Sequence, residues 1–157
     1  MADANRPERE PPPARSLFPA FVAMTTRWKD NDPYGHLNNV VYYELFDAAV
    51  NQLLIERGLL DPATSPVIGL VVESRCRFHV SLAFPDAVEV GVAVEAIGRS
   101  SVNYRLAVFK AGAGIAAADG RYTHVYVDRA TGKPVTIPEP HLSAMRQWRV
   151  TSSTDLG

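Results

Sequence analysis

The segment from Asp30 to Asn39, Asp-Asn-Asp-Pro-Tyr-Gly-His-Leu-Asn-Asn, holds the densest group of side chains that could do chemistry. Asp30 and Asp32 lie on either side of one residue, and His36 follows in the same loop. A carboxylate can attack a carbonyl carbon or activate a water molecule, and a histidine can exchange a proton near neutral pH. The spacing therefore indicates acid–base or nucleophilic chemistry, although Asp beside Pro and Gly also forms ordinary turns.

The same segment leads into the strongest helical pattern of the chain, Val40 to Arg57. Asn38 or Asn39 can cap the first N–H groups, and Gly58 follows where a helix commonly ends. The apolar positions that recur at helical spacing are Val41, Leu45, Ala48, Ala49, Leu53 and Leu54. Because a helix start carries partial positive charge, a carbonyl oxygen in front of it would be polarised.

After Gly58 the pattern changes from helix to strand. Four strands are predicted, at Val67 to Val80, Ala87 to Ile97, Val102 to Lys110 and Gly114 to Val127. The short gaps between them favour an antiparallel meander. Phe18 to Arg27 is predicted as a first strand and His141 to Trp148 as a short closing helix. One long helix covering the apolar face of an antiparallel sheet gives an α+β domain.

Composition limits the classes of function that the chain can have. It has 157 residues, 46% of them apolar, and a net charge of −1. We expect one domain at residues 17–150, between a disordered proline-rich tail at 1–16 and a flexible end at 151–157. Near-neutral charge gives no field that favours nucleic acid or an anionic membrane surface. No apolar run suits a spanning helix, and the single Cys76 fits a reducing compartment, so a cytoplasmic location is predicted.

The pattern Asp-x-Asp-x-x-Gly-His-x-Asn-Asn, followed by Tyr-x-x-x-Phe on the helix, resembles the signature of 4-hydroxybenzoyl-CoA thioesterase-like proteins. Arg27 before the loop and Glu44 on the helix support the resemblance. It implies the hotdog fold, in which an antiparallel sheet wraps around one central helix. It also implies a homodimer or homotetramer that hydrolyses an acyl-CoA at the subunit interface. No metal is implied, and no cofactor apart from the CoA that arrives with the substrate.

The resemblance also assigns roles to residues of this chain. Asp32 takes the position of the catalytic aspartate, either as the nucleophile that forms a mixed anhydride or as the general base for water. The sequence leaves both routes open. The expected oxyanion donors are N–H groups at the helix N-terminus, formed by Asn39, Val40 and Val41. The residues expected to position the loop and the substrate are Gly35, His36, Asn38 and Tyr43.

Contacts with the CoA phosphates are expected from basic side chains, because arginine forks suit phosphate oxygens. One face of the strand predicted at Val67 to Val80 carries Glu73, Arg75 and Arg77. We expect this strand to be central in the sheet and this face to be exposed to solvent. The resemblance adds the loop Gly98 to Ser101. The residues expected to contact CoA are Arg75, Arg77, Arg99 and Ser100. A solvated charged face explains Arg75 and Arg77 equally well.

Two other functions remain open at this stage. One is a hydratase or dehydratase acting on an acyl thioester, because hotdog enzymes of that type use a carboxylate and a His in a related loop. That activity should require His36, whereas hydrolysis should survive its loss and collapse without Asp32. The other is a non-catalytic module that binds acyl-CoA, although the chain offers no additional DNA-binding segment.

Overall fold

A computed structural model describes residues 9–150 of the chain. Five antiparallel strands form one sheet around a long helix, α1. The strands are β1 (Ala20–Thr25), β2 (Val67–Phe78), β3 (Ala87–Ile97), β4 (Ser101–Lys110) and β5 (Ala118–Asp128). The helices are α1 (Asn39–Glu56), between β1 and β2, and α2 (Glu139–Gln147), after β5. The predicted α+β hotdog fold is confirmed. Within the described residues, neither helix combines the length and the apolar character that crossing a membrane requires.

The buried face of α1 is wider than the sequence pattern indicated. The buried residues are Val41, Tyr42, Leu45, Phe46, Ala49, Val50, Leu53 and Leu54, whereas Ala48 is exposed. They pack against inward-facing side chains of the strands, such as Val90 and Leu106, which are fully buried. Phe46 lies so close to Gly120 that a Cβ there would approach its ring to 2.7 Å. The helix is therefore held by apolar packing along its whole length.

The predicted meander of four consecutive strands is wrong in one respect. β3, β4 and β5 are neighbours in sequence order, but β2 pairs with β5 and the sheet runs β1-β3-β4-β5-β2. β2 is therefore an edge strand, and Glu73 does not lie in a central strand. The eight residues 79–86 carry the chain across β5 and β4 to β3, a lateral distance of about 14 Å. Eight extended residues can span roughly 27 Å, so a short gap does not require adjacent strands.

Residues 13–17 lie against the sheet, although the sequence suggested a disordered tail up to residue 16. Pro13 O accepts a hydrogen bond from Ala116 N (3.1 Å), and Arg15 N donates to Gly114 O (2.8 Å). The Arg15 guanidinium also pairs with Glu89 on β3. These contacts explain why β5 begins at Ala118 rather than at Gly114. Residues 1–8 and 151–157, the rest of the two predicted ends, lie outside the described residues.

A chain of polar side chains, buried on β5 and exposed at its α1 end, ties α1 to β5. Tyr122 Oη donates to Asp47 Oδ1 (2.6 Å), and His124 Nε2 lies 2.9 Å from the same hydroxyl. Because the hydroxyl proton goes to the carboxylate, His124 donates through Nε2, and its buried Nδ1 has no partner within residues 9–150. A Cβ at Gly69 would lie 2.8 Å from that Nδ1, so the neighbouring strand needs glycine there. Burial lowers the pKa of His124 to about 4, although the Asp47 charge opposes the shift.

We predict that protonation of His124 destabilises the protein in acid. The pKa of His124 is about 4 when folded and has its ordinary value of 6.5 when unfolded. The unfolded state therefore binds more protons between these values, and the free energy of unfolding falls as pH decreases from about 7 to 4. The shift corresponds to about 3 kcal/mol. Urea unfolding of the wild type and His124→Gln across this pH range measures the effect. A variant with the same pH dependence as the wild type would contradict it.

Candidate active site

The loop between β1 and α1 forms a turn around the Asp32 carboxylate. Asp32 Oδ1 accepts hydrogen bonds from Tyr34 N (2.8 Å) and His36 N (3.1 Å), and Asp32 N donates to His36 O (2.7 Å). Gly35 has φ +82°, a left-handed conformation that a β-carbon disfavours, so the predicted role of Gly35 in the loop has a physical basis. Asp32 is half-buried. Its Oδ2 accepts no hydrogen bond from residues 9–150, so this oxygen can approach a substrate.

Asp30 has a different environment from Asp32. It is 4% exposed, and its carboxylate accepts hydrogen bonds from Arg27 N (2.8 Å) and Arg27 Nε (3.0 Å). Burial alone would raise the pKa of Asp30, but the hydrogen bonds from Arg27 outweigh it and hold the pKa below its usual range. The guanidinium of Arg27 also reaches Glu44 on α1 (3.0 Å). Asp30 therefore fastens the loop to Arg27, just after β1, and through Arg27 to α1.

The crossing connection between β2 and β3 holds the loop from the other side. Leu37 N donates to Leu82 O (2.6 Å), and Phe84 N donates to Asn31 Oδ1 (2.9 Å). Leu37 and Leu82 are both buried. The loop that carries Asp32 is therefore held on both sides of Asp32, by the side chain of Asn31 and by the backbone of Leu37.

The first N–H groups of α1 are only partly available to a substrate. Asn38 is the N-cap, and its Oδ1 accepts from Val40 N (3.1 Å), while its backbone O accepts from Val41 N (3.0 Å). This leaves the N–H of Asn39 without an acceptor within residues 9–150. The predicted capping role of Asn38 is thus observed, and Asn39 is the free amide among the three expected donors.

A groove of about 470 Å³ lies in front of this helix start. Asp32, His36, Leu37, Asn39 and Tyr42 form one wall of the groove, and Phe78, His79, Val80 and Ser81 form the other. A second cleft, of about 410 Å³, lies on the other side of Asp32 and is lined by Trp28 and Pro33. Asp32, whose second carboxylate oxygen accepts no hydrogen bond within residues 9–150, and Asn39, the first residue of α1, thus line the same groove.

Of the two tyrosines at the start of α1, Tyr43 was expected to position the substrate. Tyr43 does not line the groove and packs edge-on against Phe46, with 6.5 Å between ring centroids. Tyr42 lines the groove instead and packs edge-on against Phe78 at 5.1 Å. His36 lines the groove, with an exposed side chain.

The four residues expected to contact CoA do not form one cluster within the described chain. Arg77 pairs with Asp119 on β5, whereas Ser100 O accepts a hydrogen bond from Tyr126 N at the other end of that strand. Seven residues along a strand correspond to about 23 Å. Arg77 lies beside the groove residue Phe78, but Arg99 lies at the far end with Ser100 and bonds Thr136. Arg75 is exposed on β2.

Two residues near the groove were not identified from the sequence. His79 lies in the wall of the groove, and the buried Asp119 accepts a hydrogen bond from its ring (2.7 Å). Only the pairing of β2 with β5 brings these two residues together. The predicted meander did not include this pairing, so the contact could not be predicted from the sequence. Burial raises the pKa of the Cys76 thiol to about 12, which disfavours the reactive thiolate.

Comparisons with known proteins agree with this geometry. The sequence model of the Thioesterase-like superfamily matches residues 26–148. The PA5185 protein of Pseudomonas aeruginosa is 46% identical, with a TM-score of 0.88 over 91% of this chain and 100% of that chain. A search of curated proteins found no significant match.

More distant structures share the fold. The Dynemicin thioesterase has a TM-score of 0.77 at 17% identity, over 84% of this chain and 98% of that chain. Slr0204 of Synechocystis, a 1,4-dihydroxy-2-naphthoyl-CoA thioesterase, has a TM-score of 0.72 at 14% identity, over 80% and 94%. The matched family region contains the whole Asp32 loop, α1 and the four strands β2 to β5. The chain therefore belongs to the thioesterase-like superfamily.

Proposed function

We propose that the protein hydrolyses an acyl-CoA thioester to a free acid and CoA, with Asp32 as the reactive carboxylate. Membership of the thioesterase-like superfamily supports thioester hydrolysis in general. A neighbour of the same fold that is named as a CoA thioesterase supports CoA as the thiol carrier. The reaction needs water as its only other reactant, and we assign no metal or cofactor to it.

The position of Asp32 and Asn39 in one groove is the main support for this proposal. One oxygen of the Asp32 carboxylate is held by two backbone N–H groups, so the other oxygen has a fixed direction. The open N–H of Asn39 at the helix start can donate to a carbonyl oxygen as negative charge develops on it. A thioester carbonyl between these groups would be polarised on one side and meet a carboxylate on the other.

Two routes fit this geometry. Asp32 Oδ2 can attack the carbonyl carbon, release the thiolate and form a mixed anhydride that water then cleaves. Alternatively, it can take a proton from a water molecule that attacks the carbonyl carbon directly. Both routes require the charged carboxylate, and both give the same products.

We predict that Asp32→Asn abolishes hydrolysis while the protein stays folded. The amide keeps the shape and can still accept the two backbone hydrogen bonds, but it is neither a nucleophile nor a base. We expect kcat/KM for acyl-CoA to fall by about a thousandfold. The measurement is free CoA release, read with a thiol reagent, from short, medium, long-chain and aromatic acyl-CoAs. Thermal unfolding of each variant tests whether the fold is retained.

Asp61→Asn is a matched control for this experiment. Asp61 Oδ1 also accepts hydrogen bonds from two backbone N–H groups, those of Ala63 (2.8 Å) and Thr64 (3.2 Å), but it lies in an exposed turn after α1. We expect its activity to stay within about twofold of the wild type. Equal losses in both variants, or an active Asp32→Asn variant, would contradict the assignment of Asp32. Saturable acyl-CoA binding by the wild type without turnover would favour a binding module, and hydration of an unsaturated acyl-CoA would favour a hydratase.

We further propose that the active unit is a homodimer joined through the free edge of β2. Within residues 9–150 this strand pairs with β5 on one side only, and its middle carries three exposed apolar residues, Leu70 (45%), Val71 (45%) and Val72 (61%). An unpaired apolar edge strand readily pairs with another chain. Phe78 and Val80, which line the groove, are also exposed (51% and 63%), so the apolar surface continues to the site.

Val72→Lys should weaken this dimer, because a lysine on an edge strand disfavours pairing with another chain. We expect the dissociation constant measured by sedimentation velocity to rise at least about tenfold, a change of 1.4 kcal/mol. Ile115→Lys is the control, since Ile115 is similarly exposed (56%) but lies before β5, where it pairs with Ala14, and is not part of the β2 edge. A wild type that stays monomeric at all concentrations, or equal effects of both substitutions, would contradict the proposed interface.

A further inference from the structure

His79 is the one histidine of the groove whose ring is held by a buried carboxylate within residues 9–150. Its Nε2 lies 2.7 Å from Asp119 Oδ1, with side-chain exposures of 15% for His79 and 2% for Asp119. His36, on the opposite wall, is exposed, and its ring has no hydrogen-bond partner among the described residues. The two histidines therefore differ in how well they are oriented.

The backbone of His79 is fixed as firmly as its ring. His79 N and Val80 N both donate to Ala117 O, at 2.9 and 3.0 Å. This shared acceptor extends the pairing of β2 with β5 beyond the last residue of β2. The imidazole is thus placed at the groove by the sheet itself.

Asp119 is suited to orient the imidazole as an ionised carboxylate. Burial alone would raise the pKa of Asp119, but hydrogen bonds from Arg77 (2.8 Å) and His79 outweigh it and hold the pKa below its usual range. Arg105 lies 3.4 Å from the same carboxylate. A charged Asp119 accepts a proton-bearing Nε2, so the remaining nitrogen of His79, Nδ1, is left to exchange protons. Within residues 9–150 this Nδ1 has no hydrogen-bond partner.

We propose that His79 is the proton donor to the leaving sulfur, with Asp119 as its positioning residue. This inference rests on the proposed thioester hydrolysis and deepens it. Asp32 acts on the carbonyl carbon, and that role leaves the departing CoA thiolate without a proton. Protonated His79 gives its Nδ1 proton to the sulfur as the C–S bond breaks, which releases CoA as the thiol.

On both routes proposed for Asp32, His79 regains the proton that it gives to the sulfur. On the anhydride route, neutral His79 then takes a proton from the water that attacks the acyl carbon, and Asp32 leaves as a carboxylate. On the general-base route, Asp32 takes the water proton and passes it to solvent, from which His79 is protonated again. In each case one water and one thioester give one acid and one thiol.

The test compares leaving groups that differ in their need for a proton. The same acyl group is placed on benzyl mercaptan, whose thiolate is basic, and on 4-nitrothiophenol, whose thiolate is stable without protonation. Cleavage is followed under single-turnover conditions with enzyme in excess. For His79→Gln we expect a loss of about a hundredfold with the benzyl thioester and with acyl-CoA, but a loss within about threefold with the nitrophenyl thioester.

Arg105→Gln is the matched control, because it removes one charge partner of Asp119 and leaves the bond between His79 and Asp119 intact. It should lower thermal stability and change cleavage of both thioesters by the same factor. Equal losses of both thioesters in His79→Gln would overturn the inference and indicate a structural role. Full activity of His79→Gln on acyl-CoA would overturn it as well. A wild type that cleaves no thioester would instead refute the proposed function.

Discussion

The pairing of β2 with β5 is the constraint on which the rest of the site depends. It places β2 at the edge of the sheet and forces residues 79–86 to cross to β3. The crossing chain supplies the backbone oxygen of Leu82 and the backbone N–H of Phe84 that hold the Asp32 loop. The same pairing puts His79 beside Asp119 and leaves the other edge of β2 without a paired strand among residues 9–150. The pairing of β2 with β5 thus determines the position of both walls of the groove.

The two carboxylates of the loop motif, Asp30 and Asp32, have different roles. Asp30 is buried and bonded to Arg27, so its charge stabilises the loop. Asp32 uses one oxygen to shape the turn, and its other oxygen accepts no hydrogen bond from residues 9–150. Anchoring by Asp30 lets Asp32 face the groove in a fixed direction, which lowers the entropy lost when a substrate binds and reacts. The Asn38 cap acts similarly, since it engages two amides of α1 and leaves that of Asn39 open.

Local sequence patterns predicted the positions of the helices and strands well. They could not predict which strands are neighbours or which distant residues meet. The helical spacing, the Asn38 cap and Gly58, with φ +69°, located α1 to within one residue at each end, because these signals act within a few turns. Period and turn residues located β3 without error. Strand order could not be read in this way, because a gap of eight residues permits either a hairpin or a crossing. The Asp32 assignment came from a local motif, whereas His79 and Asp119 lie 40 residues apart and meet only through the sheet.

The action of the Asp32 carboxylate on the thioester carbonyl can be tested by measuring substrate binding and bond breaking separately. A non-hydrolysable thioether analogue of the preferred acyl-CoA gives the affinity of the wild type and Asp32→Asn by calorimetry, and single-turnover release of CoA gives the rate of the bond-breaking step. We expect the wild type and Asp32→Asn to bind the thioether analogue with affinities within about threefold of each other. The bond-breaking rate should fall by about a thousandfold in Asp32→Asn. An unchanged single-turnover rate, or a loss explained entirely by weaker binding, would contradict it.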